Sequence, residues 1–126
     1  MLKKFESVNT KLENRITITG SYAMGFPTKF YQENRVFEYK YAVFFYDDIT
    51  LEIGINLTCD ESEKHKYVIR HDKLGKGGGV AIKSLLKTMN IDPMKYKGKY
   101  QWEKRVLNEV GDVYVIKLNQ NKERHE

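Results

Sequence analysis

The sequence predicts an α+β fold, a curved, mainly antiparallel sheet or small barrel carrying two short helices. Three observations point there. The stretch from Glu38 to Thr58, EYKYAVFFYDDITLEIGINLT, sets apolar residues at every second position of two strands, the two-residue period of extended chain. Two other segments, Pro27 to Asn34 and Val80 to Ile91, show helical spacing instead. The runs between them are short, β-branched and bounded by Gly, Asn and Asp, as strands are. At 126 residues the chain is long enough for one core and too short for two, so residues 1–126 are expected to form a single domain.

Taken in order, Met1 to Asn14 reads as a lead-in or short helix, and Arg15 to Gly20, RITITG, as a strand closed by Gly. Ser21 to Gly25 continues as a turn or second short strand. Pro27 suits the first position of a helix, where its missing N–H costs nothing, and the helix to Asn34 would turn Phe30 and Tyr31 inward. The central hairpin follows, turning at Tyr46-Asp47-Asp48. Phe37, Tyr39, Tyr41, Val43 and Phe45 are expected on the core face of its first strand, and Leu51, Ile53, Ile55 and Leu57 on that of its second. Lys40, Phe44 and Tyr46 are left for a surface. A hairpin of this kind is marginal alone in water, so other elements must cover its apolar face. Lys66 to His71 is a further strand, and KLGKGGG, Lys73 to Gly79, a basic turn. Ile82, Leu85, Leu86 and Met89 then mark the apolar stripe of a helix that Pro93 ends. Lys95 to Arg105, KYKGKYQWEKR, reads as strand or ordered loop, Asp112 to Leu118 as the last strand, and NQNKERHE as a polar tail.

Residues 25–36 can be laid on residues 80–91 at a constant offset, pairing Phe30 with Leu85, Tyr31 with Leu86 and Val36 with Ile91. A duplicated strand–helix–strand–strand unit, with repeats over 15–58 and 66–118, accounts for this; so does the general likeness of amphipathic helices. The unit ITITGSYAMGFPTKFYQENRVFEYKYAVFFYDDITLEIGI also resembles the AbrB/MazE-type swapped-hairpin DNA-binding domains. Phe26-Pro27-Thr28-Lys29 stands where the helix of those domains starts, and Tyr41 to Ile55 where their strand pair lies. The resemblance covers the first half, with an echo in the second where Ile82 replaces Pro, and departs from the pattern in the insertion Gly20 to Gly25. It implies DNA binding and an intertwined homodimer, which a duplicated chain would mimic within one polypeptide.

Charge and aromatic placement point to a polyanionic partner. The chain carries a net charge of +5, and between Lys64 and Arg105 twelve Lys and Arg face three acids. Tyr96, Tyr100 and Trp102 alternate there with Lys95, Lys97, Lys99, Lys104 and Arg105. Single strands are bound by stacking bases on aromatic rings while cations track the phosphates. Duplexes instead need cations on a rigid turn, such as Lys73, Lys76 and Lys83. The expected function is therefore non-enzymatic nucleic-acid binding, DNA more than RNA, with those eight cations on phosphates and the three rings as stacking or wedging groups. A small protein-binding module, such as an inhibitor or accessory protein of a mobile element, is the alternative, because Tyr, Trp and Arg also dominate protein interfaces.

No motif argues for catalysis or a cofactor. GGGVAIKS, Gly77 to Ser84, places Ile82 where a phosphate-cradling loop needs Gly. Cys59, His65 and His71 lack metal-ligand spacing, and Asp47-Asp48 and Asp60-Glu61 sit in turns, where acids bond their own backbone. A single cysteine and a start without an apolar run after its lysines lead to the expectation of a reduced, cytoplasmic protein without a membrane segment.

Overall fold

The computed structural model describes residues 1–2 and 13–121; the lead-in over residues 3–12 and the tail over 122–126 lie outside them. The chain order is β1 (Ile16–Ile18), β2 (Ala23–Phe26), α1 (Thr28–Glu33), a 3-10 turn (Val36–Glu38), β3 (Tyr41–Asp47), β4 (Glu52–Thr58), β5 (Tyr67–Val68), β6 (Arg70–His71), β7 (Gly78–Ala81), α2 (Lys83–Thr88), α3 (Pro93–Tyr96), β8 (Gly98–Tyr100), β9 (Trp102–Leu107), β10 (Gly111–Lys117) and α4 (Leu118–Asn121). The strands form two open antiparallel sheets, β6-β7-β2-β1-β8 and β5-β3-β4-β10-β9. The fold is α+β, as the patterning requires. Among the described residues α3 and α4 join the two helices expected, and at four residues each they are too short to show a period.

Residues 23–33 and 78–88 follow the same strand-to-helix order 55 residues apart, although the linking residues differ, Pro27 being extended at ψ 166° and Ile82 lying at ψ 31°. β2 and α1 map onto β7 and α2 without a shift. Arg35 and Asn90, the equivalent residues beyond each helix, are both left-handed, at φ 53° and 61°. At Asn90 the chain closes α2 as helix ends commonly close: Ile91 N–H bonds back to the Leu86 carbonyl and Asn90 N–H to that of Lys87. β2 and β7 pair antiparallel near the centre of the first sheet, and β4 and β10 near the centre of the second. Each half of the chain thus contributes strands to both sheets.

The central hairpin runs with its first strand turned over from the expected face. Ala42 is fully buried and Phe44 packs on the core, meeting the Tyr67 ring edge-on at 5.0 Å, while Tyr46 and Phe37 are about half exposed. The reason is parity. The connection Asp48–Leu51 holds four residues, so even positions of β3 lie across from odd positions of β4: Phe44 from Ile55, and Tyr46 from Ile53. Ile53 and Ile55 are buried as expected, and they take Ala42 and Phe44 with them. Asp47 fixes the turn by accepting the N–H groups of Ile49 and Thr50 at 2.9 and 3.1 Å.

The strand expected over Lys66 to His71 is divided. β5 belongs to the second sheet and β6 to the first, and Ile69, buried between them, donates its N–H to the Lys40 carbonyl at 2.9 Å. Gln101 makes the mirror-image step from β8 in the first sheet to β9 in the second. The core fills the space between the sheets: Ile16, Ile18, Met24, Phe26 and Val80 on one side, Ile53, Ile55, Tyr114 and Ile116 on the other. Phe30 of α1 joins them, stacked on Phe26 at 5.5 Å and edge-on to Trp102 and Tyr114 at 5.1 and 5.2 Å. Among the described residues no helix is long and apolar enough to cross a membrane.

Candidate nucleic-acid interface

The eleven residues singled out in the sequence fall into three groups. Tyr100 and Trp102 are structural. Tyr100 is 2% exposed and its hydroxyl donates to the Tyr96 carbonyl. Trp102 lies in the aromatic cluster with Phe30 and Tyr114, and its indole N–H donates to the Asn14 carbonyl at 2.9 Å. Both rings point inward because β8 and β9 alternate about the core, so neither presents a face for a base. Tyr96 is half-buried against the core beneath Lys95, whose Nζ stands 5.7 Å from the ring centre. The expectation that these rings stack on bases is corrected for Tyr100 and Trp102 by this burial.

A second group is neutralised within the fold. Arg105 bonds Glu103 at 2.5 Å and Glu52 at 3.2 Å. The carboxylates raise its pKa further, and its guanidinium holds the Glu103 carboxyl below the usual range. Lys104 lies 3.9 Å from Asp112 and over the Tyr114 ring. Lys99 lies 3.4 Å from Glu13, a carboxyl that its hydrogen bonds with Arg15 pull down to about 2.

The third group stands at the two ends of the central pair β2/β7. At one end, the β1–β2 turn (Thr19–Tyr22) touches the start of α2: Ile82 N–H donates to the Tyr22 carbonyl at 2.9 Å. The Tyr22 ring lies under both Lys83 and Lys87, whose Nζ atoms are 5.7 and 5.9 Å from its centre. Lys97 reaches the same turn, since a Cβ at Gly20 would be 3.7 Å from its Cδ. Tyr22 takes a left-handed φ of 67°, which turns the chain tightly enough for this approach. A shallow hollow lined by Tyr22, Lys87, Asn90, Ile91 and Asp92 opens beside the lysines. At the other end, Lys73 and Lys76 sit on the β6–β7 loop, which is fastened to α1 by the Thr28 hydroxyl donating to the Lys76 carbonyl at 2.5 Å. Asp72 shapes that loop by accepting the Lys76 N–H, as Asp92 caps α3 by accepting the Met94 N–H at 3.0 Å. Lys73, Lys76, Lys83, Lys87 and Lys97 form no ion pair with any described residue.

Lys87 and Tyr22 were missed by the sequence reading. Lys87 is four residues from Lys83 on one exposed helix face, a spacing that does carry the signal. Tyr22 enters only because a turn 60 residues upstream of α2 folds beneath it, and no local pattern reports that. Of the groups weighed for metal or nucleophilic chemistry, exposed Cys59 donates to the Glu38 carbonyl at 3.1 Å, and His71 is held between the Tyr31 hydroxyl and the Tyr39 carbonyl, each at 2.8 Å.

No family model matches the chain, and neither curated proteins nor solved structures yield a match.

Proposed function

We propose that this is a non-enzymatic nucleic-acid-binding protein that grips its partner with lysines at the two ends of the β2/β7 pair. The observation that supports it most is the convergence of Lys83, Lys87 and Lys97 on one turn, where none of them forms an ion pair with a described residue and Asp92 is the acid lining the hollow beside them. Like charges gathered at one place repel one another, so the arrangement stores a demand for counter-charge that a phosphate backbone meets. Lys73 and Lys76, on a loop that also holds Asp72, stand at the opposite end, and the 55-residue register supports reading the two ends as equivalent parts of an internal duplication. Lys95 stands over the Tyr96 ring, whereas Lys99, Lys104 and Arg105 must first give up a carboxylate.

Affinity for a short DNA at low salt should fall linearly in log K against log[salt]. Replacing Lys83 and Lys87 by Ala should weaken binding and lower the slope by up to about 0.9 for each phosphate left without its lysine, or about 0.7 on a single strand. A flat salt dependence, or no binding to any DNA or RNA, would reject the reading.

The protein-binding alternative has its own support. The outward face of the second sheet carries a groove along Phe45, Leu107, Val113 and Val115, bordered by Asp47, Glu52 and Arg105. It would be favoured by a stoichiometric complex that survives nuclease and is abolished by Leu107→Glu.

A further inference from the structure

The outward face of the first sheet is poor in side chains and edged with cations. Ile16, Ile18, Met24, Phe26, Val80 and Tyr100 are buried beneath it, so alternation along each strand turns the residues between them to the other face. The register then sets one row straight across all five strands: Lys99 on β8, Thr17 on β1, Gly25 on β2, Gly79 on β7 and Arg70 on β6. Ala23 and Ala81 form the next row. The middle of this face therefore rises no higher than a threonine. At Gly79 the backbone is close-packed as well, because a Cβ there would come 3.1 Å from the Met24 carbonyl. Four strand spacings separate Lys99 from Arg70, about 19 Å across. Along the strands, the lysine ends at Tyr22 and Gly77 are five residues apart, about 17 Å.

The geometry points to double-stranded nucleic acid, gripped by its phosphates on this platform without reading of base sequence. The inference rests on the nucleic-acid reading above and goes beyond it by choosing the partner. Two cationic margins held apart by a rigid sheet favour a ligand whose phosphate rows are themselves held apart, and a duplex is such a ligand. A flexible single strand must be ordered to meet both margins, and it finds no exposed ring on the row to stack upon. Base-edge recognition needs side chains that donate and accept in a groove, and the central positions offer only the Thr17 hydroxyl. What remains is a flat floor that lets a backbone approach closely, with Arg70 and Lys99 at its sides and the lysine ends above and below. Glu13 is the opposing acid at the Lys99 margin, so Lys99 engages phosphate in competition with it.

The test measures binding of a DNA duplex of about two helical turns, its isolated strand, a duplex of scrambled sequence and the matching RNA duplex, by fluorescence anisotropy on the intact protein at two salt concentrations. The expected result is that duplex binds at least tenfold tighter than single strand, that scrambling changes affinity by less than about threefold, and that Arg70→Ala with Lys99→Ala lowers the DNA-duplex salt slope by up to about 1.8. Thr17→Glu, and Ala81→Glu at an exposed position should Thr17→Glu fail to fold, should each weaken duplex binding severalfold, and Glu13→Gln should strengthen it by freeing Lys99. If the DNA and RNA duplexes bind alike, shape and charge alone are recognised; if only one binds, the platform selects a helix geometry, and both results support a duplex. Nucleic-acid binding that prefers the single strand, or that ignores the Arg70, Lys99 and platform substitutions, overturns this inference and leaves the broader reading standing. No binding of any nucleic acid by the unmodified protein overturns both.

Discussion

Gly54 shows how little room single positions leave. A Cβ there would lie 2.7 Å from Val113 Cγ1, on the outward face where Phe45 and Val113 close over the strand. Gly54→Ala should therefore destabilise the protein by about 1–3 kcal/mol, read as a lower urea midpoint at unchanged slope. Glu13 makes a different kind of prediction. Arg15 donates to it through both side chain and backbone, and with Lys99 nearby its pKa falls from 4.5 to about 2. Because the folded value lies below the unfolded one, the stability this carboxylate supplies is present above pH 4.5 and is lost as pH falls toward 2. Glu13→Gln should lower stability at neutral pH by on the order of 1 kcal/mol, after allowing for solvent, and should flatten its decline across that window. At this scale sequence reading found cations but not their partners. Lys104 and Lys97 look alike in KYKGKYQWEKR, yet one lies diagonally across a strand pair from Asp112 and the other forms no ion pair with a described residue. Which lysines remain available is decided by long-range pairing.

At the scale of elements, periodicity named what was long and missed what was brief. α1 and α2 were legible because Phe30, Tyr31, Ile82, Leu85, Leu86 and Met89 bury at helical spacing. The face of β4 was legible from Ile53 and Ile55, whereas that of β3 was not, because its parity depends on the length of the Asp48–Leu51 connection and its residues are apolar on both sides. α3 was hidden by its single turn, although Asp92 followed by Pro93 is the signature of a helix start. Asp92→Ala should remove the bond to Met94 N–H and cost about 1 kcal/mol. Because Met94 and Lys97 flank the Gly20 turn, the same substitution should also weaken nucleic-acid binding, by less than Lys83→Ala does. Thermal denaturation and anisotropy on the one variant check both statements.

Across the whole molecule, the basic half seen in the sequence becomes a distribution over one sheet: cations at both ends of β2/β7 and at both margins of the row from Lys99 to Arg70. The second sheet holds Arg105 and Lys117 against Glu52, and apolar Phe45, Leu107, Val113 and Val115 lie in the groove beside that cluster. This division was not readable from composition, since residues 98–107 begin in one sheet and finish in the other. Of the three places where the chain passes from one sheet to the other, two, at Ile69 and Gln101, spend a single residue on the step. A connection that short cannot lengthen to let one sheet open while the other stays closed. The molecule is thereby sewn along opposite seams, and it should come apart in a single event. Native-state hydrogen exchange would show this as the same limiting protection for slow amides of β2 and of β4. A ten-fold or larger gap between those limits would mean that the seams yield before the sheets do.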